Sequence, residues 1–275
     1  MPAKQRLDLL LVQHGLAASQ AEAQSLVMAG QVTLTPDTKV PADAPIQVDP
    51  GPTYVSRGGE KLAAALTAFN FDVSGLTCAD VGASTGGFTD CLLQHGANLV
   101  YAIDVGQGIL AWKLRQDARV VVMENTNARQ VARLPTQVSL VTVDVSFISL
   151  NVLLPVVLGW FGNPPDVQAA PGDNIGDIIA GDVIALIKPQ FEASRMQARR
   201  GKGVIRDAGV HRQVLVQVLE KAQRLHCQVN GLIASPLLGP KGNREFLAWL
   251  SYPARPGYDP ASLAARIEAV TAMEE

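Results

Sequence analysis

The chain has 275 residues, 48% hydrophobic and 17% charged, which excludes a predominantly disordered polymer and suits one standard domain plus a smaller one. A formal net charge of −2 excludes a global attraction to a polyanion, so any nucleic-acid site must be a local patch. Cys78, Cys91 and Cys227 have neither CxxC nor Cys/His spacing, which argues against a metal site or a disulfide framework and fits buried thiols in a reducing cytoplasm.

In chain order, Met1 to Leu11 places Lys4 and Arg6 before an apolar run broken by Asp8, with no cleavage-like end, so it does not read as a signal peptide. Leu7, Leu10 and Leu11 predict a helix from Arg6 to His14, closed by Gly15. Ala23, Leu26 and Val27 predict a second helix, opened by the capping-box pair Ser19 and Glu22 and closed by Gly30. Val32 and Leu34, a turn at Thr35 to Thr38, and Ile46 and Val48 predict a hairpin. Prolines and a glycine from Pro41 to Pro52 then mark a boundary within residues 50–56, giving domains 1–52 and 53–275.

Beyond that boundary a helix near Gly59 carries Leu62, Leu66 and Phe69 on one face. Strands are predicted at about 76–82, 99–104, 119–123, 138–144 and 182–188, with later ones near 228–234 and 245–251. Their alternation with helical segments predicts an α/β fold, a parallel Rossmann-like sheet covered on both faces, with ligands beyond the C-terminal strand ends. Val138 to Phe161 is apolar enough to suggest a membrane span, but Asp144 inside it and Pro155 near its end fit a buried strand followed by a packed helix. Residues 162–181, rich in Pro, Gly and Asp, read as a surface insertion.

Ala79 to Thr89 runs from an apolar strand through a glycine-rich turn into a helix. Gly82, Ser84, Thr85, Gly86, Gly87, Phe88 and Thr89 therefore form a candidate cofactor turn, where glycines admit close backbone approach and helix N-terminal amides face a ligand. Asp104 ends the next strand, where a carboxylate can accept both ribose hydroxyls of a nucleoside. The spacing is not GxGxxG, no Walker lysine follows, and no basic residue near Asp104 favours a pyrophosphate, so a sulfonium methyl donor ranks above a dinucleotide.

Asp144 closes the fourth strand and Lys188 the fifth, so adjacent strands present opposite charges into one cleft. A ribose hydroxyl is a weak nucleophile, and methylating it needs a base in line with the methyl group. Lys188 can be that base in its neutral form, with Lys61 as a second cation and Glu245 orienting the amines. Arg195, Arg199, Arg200, Lys202 and Arg206 form the densest basic run, a candidate phosphate-contacting loop. His211 reads as a surface helix residue.

Taken together, Arg6-Leu7-Asp8, Val55-Ser56-Arg57-Gly58-Gly59 with Lys61, the glycine turn, Asp144 to Ser149, Lys188 to Glu192, Gly201 to Asp207 and Gly242 to Phe246 resemble the TlyA family, often labelled haemolysin A. The resemblance covers nearly the whole chain. It implies an S-four-like RNA-binding domain, α+β in class, joined to an FtsJ-like class I methyltransferase domain, with S-adenosylmethionine as cofactor and ribosomal RNA or ribosomal subunits as partner. It further implies ribose 2′-O-methylation of cytidine, a tetrad of Lys61, Asp144, Lys188 and Glu245, the segment Glu124 to Arg129, especially Asn127, near the cofactor adenosine, and RNA contacts from Arg6 and Arg57. Gln20 stands where such domains commonly have arginine, and Thr35-Pro36 replaces the usual Asn-Gly turn. Competing readings are a membrane-active haemolysin, which lacks a basic amphipathic face, a non-catalytic rRNA-binding protein, and a nicotinamide enzyme, disfavoured by the glycine spacing.

Overall fold

The computed structural model describes residues 4–28, 31–32, 38–49, 51–162, 180–255, 259 and 261–272. Leu34, the Thr35-Pro36 turn and residues 163–179 of the expected insertion therefore lie outside the described residues. Contacts divide the chain into two units, Met1–Thr53 and Tyr54–Glu275.

In the first unit, strand β1 (Lys4–Arg6) leads into helices α1 (Leu7–Gln13) and α2 (Gln20–Met28), and β2 (Lys39–Pro41) follows. Ser19 Oγ accepts the Glu22 N–H at 3.2 Å while the Glu22 carboxylate accepts the Ala18 N–H at 2.7 Å, which fixes the start of α2. The two-stranded sheet differs from the expected hairpin, because β1 pairs antiparallel with β2, Gln5 opposite Val40. Ile46 and Val48 form no strand. Their side chains instead pack on the small core of Leu7, Leu11, Ala17, Ala23, Val27 and Val32. At its edge Asp8 is fully buried and accepts bonds from Arg6, Gln20 and Gln24. The Arg6 guanidinium above all holds that carboxyl well below the usual carboxylate range.

The second unit is built on a seven-stranded sheet of order β5-β4-β3-β6-β7-β9-β8. Its strands are β3 (Thr77–Val81), β4 (Leu99–Ile103), β5 (Val120–Met123), β6 (Leu140–Val143), β7 (Gly181–Ile187), β8 (Gln228–Ala234) and β9 (Phe246–Tyr252). Helices α3 (Gly58–Phe69), α4 (Gly87–Gln94), α5 (Trp112–Arg115), α6 (Leu150–Leu158), α7 (Pro189–Glu192), α8 (Arg195–Arg200), α9 (Ala208–Arg224) and α10 (Ser262–Ala272) connect and cover them. Strands β3 to β7 are parallel, as the alternation predicts, but β9 inserts antiparallel between β7 and β8. The physical reason is the direct β8-to-β9 connection, which carries no crossover helix and therefore returns the chain antiparallel.

Side chains alternate between two cores. Ala79, Val81, Tyr101, Ile103, Val141 and Val143 face α6, α9 and α10, while Cys78, Val100, Ala102 and Leu140 face α3 and α4. The apolar stretch at Val138 to Phe161 is thus a buried strand and a packed helix, and no helix among the described residues is long and apolar enough to cross a membrane. Strand order reverses between β3 and β6, and that switch point opens the crevice where ligands of such sheets bind.

Beneath the switch point lies Asp80, fully buried. Its carboxylate accepts the Thr89 hydroxyl at 2.7 Å and the Thr142 hydroxyl at 3.1 Å, tying β3 to α4 and β6. Burial pushes this carboxyl up from 3.8 to about 7. The folded protein therefore keeps a proton that the unfolded chain releases earlier, so the stability it contributes is full below about pH 4 and is lost as pH rises to about 7. Urea denaturation between about pH 4 and pH 8 is expected to show unfolding free energy declining through that window, and Asp80→Asn to flatten the decline. Parallel profiles for the two proteins would contradict the assignment.

Candidate active site

The glycine turn begins where β3 ends. Gly82 has φ +85°, and a Cβ on it would stand 2.4 Å from the Asp144 carbonyl oxygen, so only glycine lets β3 and β6 converge there. A Cβ on Gly87 would stand 2.3 Å from Ser56 Oγ, which locks the first turn of α4 against the entry to α3. The turn itself is held by backbone and carboxylate: the Gly82 and Ala83 amides donate to Ile103 O, and the Ser84 amide donates to Asp104 Oδ2 at 2.8 Å.

Two adjoining cavities open at the strand ends. One, of 430 Å³, has apolar walls from Val81, Ile103, Ile109, Ile148 and Leu153, with Asp104, Asn127 and Arg129 among its polar lining. Asp104 is oriented toward it by the Ser84 and Gly106 amides, each of which uses one lone pair of a carboxylate oxygen and leaves others for a diol. Asn127 Oδ1 accepts the Arg129 amide at 3.1 Å, which leaves the amide nitrogen for a ligand. The second cavity, of 650 Å³, is lined by Lys61, Asp144, Lys188 and Glu245 together with Arg57, Gly82, Ser84, Thr85, Gly87 and Phe88. Gly82, Ser84, Asp144 and Ser146 belong to the walls of both.

Within the larger cavity the four charged residues form two pairs. Lys188 Nζ lies 2.6 Å from Asp144 Oδ1 and donates to Ser146 Oγ at 3.2 Å, with the Phe191 ring 5.9 Å away. Lys61 Nζ lies 2.5 Å from Glu245 Oε2, and Gln190 Nε2 donates to Glu245 Oε1 at 3.1 Å. Glu245 is fully buried, and a Cβ at Gly239 would strike its carboxylate at 2.2 Å. An isolated buried carboxylate is costly, and the Lys61 amine and the Gln190 amide are the partners that offset that cost for Glu245.

Several surrounding residues have structural roles that sequence reasoning did not assign them. Glu124 accepts the Gly108, Ile109 and Leu110 amides and pairs with Arg115, pinning the loop that carries Val105 and Ile109 into the smaller cavity. Those amides and Arg115 draw its carboxyl down to about 2. Glu192 accepts the Ser149 hydroxyl and the Leu150 amide at 2.5 and 2.7 Å, bracing the start of α6 against the end of α7, and burial pushes its carboxyl up. Ser146 and Gln190 sit within quoted motifs, and a polar residue one or two places past a strand-end charge is the signal that marks them.

Other expected residues fall elsewhere. Thr89 is fully buried, lines neither cavity, and spends its hydroxyl on Asp80; Gly86 likewise lines neither and backs onto Leu110 and Leu114. Arg57 donates to Leu238 O at 3.2 Å beside the larger cavity, and Arg6 belongs to the first unit, paired with Asp8. Arg199, Lys202 and Arg206 are exposed and line neither cavity, and the side chains of Arg195 and Arg200 lie outside the described residues. His211 is not a surface residue: it is 2% exposed, its Nε2 hydrogen-bonds Ile205 O at 3.1 Å, and its ring meets Phe246 edge-on.

An S-adenosylmethionine molecule fits this donor set. The small cavity offers apolar walls, a preset diol acceptor and an amide, the adjoining wall offers the Asp144 carboxylate for a cationic sulfur, and glycine backbone lies between them. The FtsJ-like methyltransferase family matches residues 54–252. The 16S/23S rRNA (cytidine-2′-O)-methyltransferase TlyA of Mycobacterium tuberculosis is 42% identical over 260 residues, covering 91% of each chain. Hemolysin A of Brachyspira hyodysenteriae is 38% identical over 259 residues, 88% of this chain and 98% of its own. A solved Streptococcus thermophilus structure bearing a hemolysin name has a TM-score of 0.69 at 39% identity, covering 100% of this chain and 96% of that one. The chain therefore belongs to the FtsJ-like methyltransferase family, alongside TlyA and hemolysin A.

Proposed function

We propose that this protein methylates the 2′-hydroxyl of a cytidine ribose in ribosomal RNA, in the cytoplasm, with Lys188 taking the hydroxyl proton. The methyl donor of the family is S-adenosylmethionine, which when bound supplies a methyl carbon on a positively charged sulfur. Asp104 and Asn127 would hold its nucleoside, and the Gly82 to Gly87 backbone would hold its amino-acid end. The names of the relatives support the substrate class: TlyA of Mycobacterium tuberculosis is named for cytidine 2′-O-methylation of 16S and 23S rRNA.

The observation that carries the reading is the Lys188 environment. A neutral amine has two N–H groups and one lone pair. Ser146 Oγ accepts one of these N–H groups and the Asp144 carboxylate stands 2.6 Å from Nζ, so the lone pair can serve a hydroxyl entering the cavity. Proton transfer from the hydroxyl then creates an ammonium directly against the Asp144 carboxylate, which stabilises it. Lys61, held by Glu245 on the opposite pair, adds a fixed positive charge near the developing oxyanion. The exposed Arg199, Lys202 and Arg206, with Arg57 at the rim, would contact RNA phosphates, and the first unit would add RNA contacts of its own through Arg6.

Lys188→Ala is expected to slow methyl transfer to rRNA by about 10²–10⁴-fold while calorimetry shows cofactor affinity within a few-fold of the parent; retained transfer removes Lys188 from the base role. Asp104→Ala is expected to weaken cofactor binding by roughly 10–100-fold, since hydrogen bonds to a charged group are worth about 1.5–3 kcal/mol, and an unchanged binding isotherm would place the nucleoside elsewhere.

A further inference from the structure

The basic segment after α8 is fastened rather than free. Gly201 to Arg206 makes a tight turn: a Cβ on Gly201 would stand 1.9 Å from Val204 O, and Lys202 and Gly203 have φ of +50° and +85°. Val204 and Ile205 are buried inside it while Lys202 and Arg206 point to solvent. Asn243, 3% exposed, grips the turn with both ends of its amide. Its Oδ1 accepts the Ile205 N–H at 3.0 Å, and its Nδ2 donates to Gly203 O at 3.0 Å. His211 Nε2 donates to Ile205 O from the other side. The Asn243 carbonyl accepts the Gly239 N–H at 2.8 Å, closing the short turn whose Gly239 abuts the Glu245 carboxylate.

One side chain thus joins the cation-bearing turn to the strand entry that sets Glu245, and through Glu245 to Lys61. We infer that Asn243 is a positioning residue for the RNA substrate: it fixes Lys202 and Arg206 at a set distance from the charged cavity, and so decides which ribose along a bound strand reaches Lys188. The inference rests on the RNA-methyltransferase reading above. Phosphate contacts carry no sequence information but do fix register on a nucleic-acid strand, so a cation turn held rigidly to the entry of β9 acts as a ruler. A loosened turn keeps its charge and loses its ruler.

The test maps methylated positions in rRNA fragments by mass spectrometry and measures KM for RNA and cofactor affinity separately. In Asn243→Ala the expected result is a KM for RNA raised at least about tenfold and methyl groups spread onto neighbouring riboses, with cofactor affinity unchanged. Asn243→Asp keeps the acceptor for Ile205 and loses the donor for Gly203, and is expected to fall between. An Asn243→Ala enzyme with the parent's KM and a single product overturns the inference. Should Asn243→Ala fail to fold, the surface pair Lys202→Ala with Arg206→Ala decides: a raised KM with a shallower salt dependence supports the ruler, and an unchanged KM overturns it. A parent protein that transfers no methyl group to rRNA would instead overturn the functional reading, and this inference with it.

Discussion

The site depends on one close approach. At Gly82 the backbone of β3 passes so near the carbonyl of Asp144 that a single added carbon would collide with it. That contact brings the glycine turn and the end of β6 into one wall, and the same wall separates and joins the two cavities. The topology supplies the rest. Reversal of strand order between β3 and β6 leaves no connection crossing the crevice, so the Asp104 carboxylate at the end of β4 and the charged groups at the ends of β6 and β7 border adjoining cavities.

Charge is arranged in that space at a cost to the fold. Two lysine–carboxylate pairs are held largely out of water, one with a fully buried glutamate, and such pairs contribute little net stability once desolvation is counted. Their value is in fixed geometry: each amine is oriented by a carboxylate and by a neutral neighbour, Ser146 for one, Gln190 through Glu245 for the other. The pattern of support extends outward through Glu192, Glu124 and Asn243, each a side chain that holds backbone amides rather than a ligand. Fixed geometry of this kind is built by the residues behind the charged groups.

Strong periodicity made the central sheet legible. Each predicted strand from 76–82 to 245–251 has a counterpart within two residues of its predicted ends, because a strand buried on both faces reads as an unbroken apolar run. Direction is not encoded in such a run, and the antiparallel insertion of β9 between β7 and β8 follows instead from the short link between β8 and β9, which carries no crossover helix. In the first unit the three-residue strands β1 and β2 are too short to leave a period, and Ile46 and Val48 alternate because they cap a small core. Strand-end charges such as Asp104, Asp144 and Lys188 were readable as cleft residues. Glu124 ends a strand just as visibly, yet its role lies in a loop fourteen to sixteen residues away, which no local pattern announces. His211 looked like a surface residue for the same reason: its partner, Ile205 O, is a backbone atom in an irregular turn.

The central claim is that Lys188 and Asp144 act as one unit on the substrate hydroxyl. A double-mutant cycle on single-turnover methyl transfer to rRNA, at saturating cofactor, tests it most directly, using Lys188→Ala, Asp144→Asn and the pair. The account predicts strong non-additivity, with the double variant about as slow as Lys188→Ala alone. Losses that simply multiply would show two residues working independently and would contradict it.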